Sequence, residues 1–186
     1  DTDRSRGLGD VYKRQMIFLS YRQKIYLKNL KEIITMEYEI VNLPEKTAVG
    51  ISARTNNFSP DMCKVIGNLW KRFFEEGIFF GIKNKANEKA LGMYYDYENN
   101  EKGDYSTAVA CEVNFSDGNN NDLSIIKIPA GKYAKFIVKG NGITAVSDFW
   151  KELWQMNLPR TFVCDFEEYQ NSDMNNAEIH IYIGIK

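Results

Sequence analysis

The sequence predicts an α+β domain built from two βαββ units in tandem, related by a pseudo-two-fold axis, with a ligand groove between the halves. Three observations lead there. Two helical patterns each carry a tryptophan in an apolar stripe, each is followed by two β-rich runs joined by a polar turn, and the halves match in residue type.

The first half starts near Met36. "KTAVGISAR" has strand composition, and Ser59-Pro60 supplies an N-cap followed by proline at the first helical position. Met62, Val65, Ile66, Leu69, Trp70 and Phe73 then recur at the spacing of one helical face, with Gly77 as the C′ stop. "LGMYYDYEN" and "YSTAVACEV" flank the turn "NEKGD" and predict a hairpin. In the second half, "LSIIKIPAGKYAKFIVKG" is β-rich and turns or bulges at Pro129-Ala130-Gly131. Thr144 caps the next helix, whose apolar face is Val146, Phe149, Trp150 and Leu153 and which Pro159 ends. "FVCDFEEYQN" and "AEIHIYIGIK" form a second hairpin around "SDMNN". The repeats span about 36–115 and 123–186; laying "IGNLWKRFFEEGI" over "VSDFWKELWQMNL" and "GMYYDYENN" over "CDFEEYQNS" pairs Trp70 with Trp150, Tyr95 with Glu167 and Tyr97 with Tyr169.

The 186 residues are 44% hydrophobic, enough to bury a core, and no apolar run is long enough for a membrane span or a secretory signal. Cys63, Cys111 and Cys164 stand apart, without CxxC spacing and with a single histidine in the chain, so the reading is reduced, mostly buried thiols in a cytoplasmic protein, with no metal site and no cofactor. Residues 1–35 hold 8 of the 24 Lys and Arg and 4 of the 25 Asp and Glu, leaving 16 bases against 21 acids, a net of −5, for residues 36–186. An acidic body repels phosphate backbones, so no direct nucleic-acid binding is expected of it.

"DTDRSRGLGDVYKRQ" lacks the large apolar residues that hold a segment to a core and resembles translated sequencing-adapter read-through. In residues 16–35, Lys31-Glu32 is encodable as a purine-rich ribosome-binding sequence shortly before Met36, which reads as an untranslated leader with the native start at Met36; a short N-terminal helix or a linker is the alternative. Residues 36–186 are then the functional domain.

"DFEEYQN" sits where a strand should run yet carries Asp165, Glu167 and Glu168. A carboxylate on a sheet face is costly to desolvate unless compensated. Alternation sets Glu167 and Tyr169 opposite Phe166, and sets His180 and Tyr182 opposite the row Ile179, Ile181, Ile183 and Ile185. The expectation is a groove holding Glu167, Tyr169, His180 and Tyr182, with Tyr95 and Tyr97 as counterparts from the first half. A carboxylate ringed by tyrosines suits an organic cation; the alternative is solvated glutamates and ordinary sheet aromatics. Trp70 and Trp150 read as core packing, whereas Trp154 reaches the end of the groove and can stack on a planar ligand.

At these residues the chain resembles the GyrI-like effector-binding domains, found alone and as C-terminal modules of AraC-type and MerR-type multidrug regulators, and is most similar to the standalone, integron-associated ones. "MEYEIVNLPEKTAVGI" resembles the opening strand, "IPAGKYAKFIVKG" the start of the second repeat and "DFEEYQN...AEIHIYIGIK" the closing hairpin. The resemblance implies the tandem fold (GyrI-like, SOUL-like), a seam that binds cationic lipophilic drugs or dyes, and matches of Glu167, Tyr169 and Tyr182 to pocket positions. His180 stands where many relatives carry a second acid, which makes the pocket less negative and pH-responsive. Haem-associated members exist in the wider superfamily, but a lone His180 on a strand reads as a satisfied polar residue.

Three functions follow. The first is a sensor or sequestering protein for amphipathic cations, without its own DNA-binding module, since residues 1–35 hold no helix-turn-helix pattern. The second is a hydrolase that opens electrophilic cyclopropanes, with Glu167 activating water and Tyr95 or Tyr182 as acid. The third is an interaction protein shielding a partner such as DNA gyrase from toxins. With no nucleophile–base–orienter set, the binding reading leads.

Overall fold

Pro44 and Pro129 cut each half's first β-rich run in two, because proline cannot donate to a ladder. The computed structural model describes residues 36–115 and 123–186. Its elements are β1 (Glu39–Leu43), β2 (Lys46–Thr55), α1 (Met62–Glu75), α2 (Ile78–Gly81), β3 (Leu91–Tyr95), β4 (Tyr105–Val113), β5 (Ser124–Ile128), β6 (Gly131–Gly140), α3 (Gly142–Leu153), β7 (Cys164–Tyr169) and β8 (Ala177–Ile185). The leader read from residues 1–35 lies outside the described residues. Among those described, no helix is long and apolar enough to cross a membrane.

The strands form one antiparallel sheet in the order β1-β6-β8-β7-β3-β4-β2-β5. That order reads the same when the repeats are exchanged. Each βαββ unit meets the other along β7–β3, and each is preceded by a short strand that crosses to flank the opposite repeat, β1 on β6 and β5 on β2. Leu43 and Lys46 are three residues apart, a reach of at most ~11 Å, yet they lie toward opposite edges of the sheet. The sheet must therefore curl until its edges approach.

Curling gives the sheet two cores. Inside the curl pack Leu91, Met93, Ala108, Ala110, Ile126, Ile128, Tyr133, Phe166 and Tyr182. Outside, α1 and α2 cover Val49, Val109 and Cys111, and α3 covers Ile179, Ile181 and Ile183. The two long helices thus straddle the β3–β7 seam. At Gly50, β2 passes so close to β4 that an added Cβ would lie 2.1 Å from the Val109 carbonyl oxygen, which only glycine tolerates.

Two helix starts differ from the sequence expectation. Ser59-Pro60 forms the turn leading into α1, with Ser59 Oγ accepting from the Asp61 N–H at 3.3 Å, and the helix begins at Met62. At α3 the cap is Asn141, not Thr144. Asn141 Oδ1 accepts from the Ile143 and Thr144 N–H groups at 3.2 and 3.3 Å, because its extended backbone (ψ 119°) turns the side chain over the first helical turn. Asn141→Ala is expected to lower the melting temperature by about 2–4 °C, the equivalent of losing ~1 kcal/mol of cap energy, in a calorimetric scan. Gly77 does end α1, in the left-handed conformation with φ 72°.

Candidate ligand-binding cleft

The ladder registers locate the internal axis. Laying β2 on β6 carries Val113 onto Ile185, through the partners Thr47↔Val113 and Lys132↔Ile185. The next ladder carries Met93 onto Glu168, through Met93↔Ala108 and Glu168↔His180. Gly92 then corresponds to Glu167 and Tyr94 to Tyr169. Gly92 and Glu167 are also ladder partners, so the pseudo-two-fold axis passes through that pair. One side chain fits on an axis, not two: a Cβ on Gly92 would lie 3.0 Å from Glu167 Oε2 and 3.2 Å from Trp70 Cζ2.

The axis accounts for what surrounds Glu167. The equivalent tyrosines approach from either side, Tyr94 donating to Oε1 at 2.8 Å and Tyr169 to Oε2 at 3.0 Å, and Trp150 Nε1 donates to Oε1 at 2.8 Å. Each helix tryptophan packs edge-on against the opposite repeat's tyrosine, Trp70 on Tyr169 at 4.7 Å and Trp150 on Tyr94 at 5.0 Å between centroids. The carboxylate is 1% exposed.

Three carboxylates are buried among the described residues: Asp165, Glu167 and Glu168. Their compensation differs. Asp165 accepts from Arg160 Nη2 at 2.6 Å, the Tyr97 hydroxyl at 2.9 Å and the Gly184 N–H at 2.9 Å. Glu168 turns to the other sheet face and accepts from Lys89 Nζ at 3.1 Å and Gln170 Nε2 at 2.6 Å. Burial pushes the Glu168 carboxyl up, but Gln170 and Lys89 outweigh it and hold it below its ordinary value. Glu167 has only neutral partners. Burial lifts its carboxyl above the ordinary value, and the Trp150, Tyr94 and Tyr169 donors recover only part of that rise. Burial, then the neighbouring carboxylate, raises Tyr94 and Tyr169 in turn, so both stay protonated donors.

Above Glu167 opens a cleft of about 1190 Å³ between α1 and α3. Trp70, Phe74, Phe79 and Phe80 line it from the first repeat, Ile143, Val146, Trp150 and Trp154 from the second, and Tyr94, Tyr97, Tyr105 and Tyr169 toward the sheet. Its charged lining is Glu88, Glu101 and Glu167 against Lys151 and Arg160.

Glu167, Tyr169, Tyr97 and Trp154 lie on this cleft; Tyr95, Tyr182 and His180 do not. Antiparallel partners share a face, and Glu167 pairs with Ile181 while Phe166 pairs with Tyr182, so Tyr182 belongs inside the curl, stacked 4.6 Å from Phe166. His180 shares that face through Glu168 and contacts Glu178 at 3.1 Å. Phe166 points into the core inside the curl, but the sheet has cores on both faces. Tyr95 also packs inside the curl, and the first-half residue touching Glu167 is Tyr94. Alternation fails at Asp96, whose φ of 51° ends β3 and returns Tyr97 to the cleft side. Pairing Tyr95 with Glu167 was a register slip of three residues, since the ladders make Gly92 the equivalent of Glu167. Trp70 and Trp150 pack against the cores under their helices, as expected, and also wall the cleft; their place opposite a strand tyrosine was not readable from a helical stripe. Cys111 and Cys164 are buried, and Cys63 is exposed beside the cleft.

A family model described as integron-associated effector binding protein (Cass2) matches residues 39–185. The chain belongs to this family. Its effector-binding domain is GyrI-like in fold. It is similar to VCH_CASS2, an integron cassette protein from the mobile metagenome of Vibrio cholerae, at 25% identity and a TM-score of 0.62, covering 80% of this chain and 99% of that one. SAV2435, solved bound to tetraphenylphosphonium, is similar at 23% identity and a TM-score of 0.67, covering 81% of this chain and 94% of that one. Among curated proteins, the tRNA-specific 2-thiouridylase MnmA of Petrotoga mobilis is 27% identical over 166 residues, or 87% of this chain; the match spans 41% of that relative's length.

Proposed function

We infer that this effector-binding domain binds amphipathic organic cations in the cleft and acts as a sensor or sequestering module, without chemistry of its own. One observation carries the reading: of the three carboxylates buried among the described residues, Glu167 alone has no cationic partner among them. A bound cation would supply the missing countercharge in a site already stripped of water, and the surrounding rings contribute roughly 0.5–2 kcal/mol each through their faces. The tetraphenylphosphonium found in SAV2435, a fold neighbour, supports the same ligand class.

Titration by tryptophan fluorescence tests it, with tetraphenylphosphonium and neutral triphenylphosphine oxide as matched probes. The cation is expected to bind at least ~30-fold tighter; equal affinities would remove the electrostatic basis. The preference is also expected to depend on pH. Glu167 must be ionised to hold a cation, and burial raises its carboxyl above the ordinary value, so affinity falls as pH drops through that raised value and levels off above it. The groups facing Glu167 directly are Tyr94, Tyr169 and the indole of Trp150, none of which changes charge in that range. Probes recovered unchanged are expected; a ring-opened product from an electrophilic cyclopropane, lost with Glu167→Gln, would assign the cleft to hydrolysis instead.

A further inference from the structure

We propose that Arg160 forms a second polar subsite in the cleft, one that reads a hydrogen-bond acceptor on the ligand, so that the preferred ligands are aromatic cations also carrying a carboxylate or carbonyl oxygen. The proposal rests on the cation reading and narrows it.

Arg160 lines the cleft, and its side chain is only 8% exposed. A guanidinium has five N–H donors in a fixed fork and no acceptor. Here it meets Asp165 through Nη2 alone, at Oδ2, which also accepts from the Tyr97 hydroxyl, while Oδ1 accepts from the Gly184 N–H. Arg160 Nε is buried without a partner among the described residues. A buried orphan donor of this kind is uncommon and calls for an explanation.

The surroundings hold the donor in place without satisfying it. The Phe162 ring lies 4.2 Å and the Trp150 ring 5.9 Å from the guanidinium carbon. Phe162 takes φ 53°, a left-handed conformation that a bulky side chain rarely adopts, and strain of that sort concentrates at ligand clamps. A lone water would be poorly kept between two rings, since it needs two to four polar partners. An acceptor fixed to a ligand needs only the one.

The spacing sets the ligand's shape. Asp165, which anchors Arg160, and Glu167 occupy the same face of β7 two residues apart, roughly 7 Å along a strand. Trp150 bridges them, its Nε1 on Glu167 and its ring beside Arg160. A cationic centre on Glu167 therefore places a para substituent of one of its aryl rings near Arg160.

The test compares tetraphenylphosphonium with (4-carboxyphenyl)triphenylphosphonium and its 2-carboxyphenyl isomer by tryptophan quenching. The 4-carboxy probe is expected to bind about tenfold tighter than the parent cation, and the 2-carboxy probe no tighter. Arg160→Lys, which keeps a charge for Asp165 but removes Nε–H, is expected to erase the para preference, read as the ratio of the 2-carboxy and 4-carboxy probes' Kd values within that variant. Equal or weaker binding of the 4-carboxy probe to the native protein would overturn the subsite, as would a preference that survives in Arg160→Lys. Were that variant not to fold, the para-against-ortho comparison in the native protein decides alone. If no phosphonium binds, the cation reading falls; if the parent binds and para equals ortho, only the Arg160 subsite falls.

Discussion

Glu167→Gln is expected to move binding and stability in opposite directions. Removing one partner of a desolvated charge pair costs 2–5 kcal/mol, so tetraphenylphosphonium should bind at least ~30-fold more weakly while triphenylphosphine oxide is unaffected. The ligand-free protein should become more stable at neutral pH. Glutamine keeps the shape: its carbonyl can accept from Tyr94 and Trp150, which share Oε1, and its amide can donate to the Tyr169 oxygen, which stands at Oε2. What it loses is an ionised carboxyl with no countercharge. A raised carboxyl value means the folded state holds its proton more tightly than the unfolded chain. That stabilisation is complete at low pH and is lost as pH rises through the folded-state value. The advantage of glutamine should therefore appear above that value, as a rise in melting temperature of about 2–4 °C for ~1 kcal/mol, and vanish near pH 4. A variant less stable than the native protein at pH 7 would mean that something cationic already faces Glu167.

Asp165→Ala should do the reverse, with a larger effect. Asp165 is 0% exposed and is matched to the buried Arg160, so its loss strands a guanidinium, the Tyr97 hydroxyl and the Gly184 N–H together. Breaking a buried pair from one side costs ~3–5 kcal/mol, which corresponds to a fall in melting temperature of about 10 °C or more. Replacing both partners, Asp165→Leu with Arg160→Met, should recover part of the loss, because no uncompensated charge remains. Urea melts of the single and double variants would measure this; equal instability of the two would show that packing, not charge, is at stake. Two acids on one face of one strand thus carry opposite expectations, according to whether a cation is supplied by the chain.

The order of elements was legible because it depends on local signals. The helix face from Met62 to Phe73, the glycine at position 77 and the turn at Pro129 each follow from periodicity or backbone chemistry within a few residues. The duplication was legible too, since Trp70 and Trp150 recur in matching stripes. The groove between the halves and the prominence of Glu167 were both visible in the carboxylate-rich strand. Its partners were misassigned: Tyr95 came from a slipped overlay of the two halves, and Tyr182 and His180 from alternation carried across a hairpin whose register was unknown, whereas Tyr94, Trp70 and Trp150 line the cleft.

The amino-acid sequence alone determined two related units, their strands and helices, and an acid where a strand should be apolar, because propensity, capping and periodicity act between near neighbours. Only the tertiary structure decided which face that acid takes and what meets it. Ladder register is a long-range property, and a one-residue slip sends every side chain to the opposite face. In a sheet curled around one core and covered by helices on the other, both faces are buried, so hydrophobicity cannot say which is which. The β3–β7 pairing makes that choice, setting Glu167 against Gly92 on the internal axis and leaving room there for a single charge.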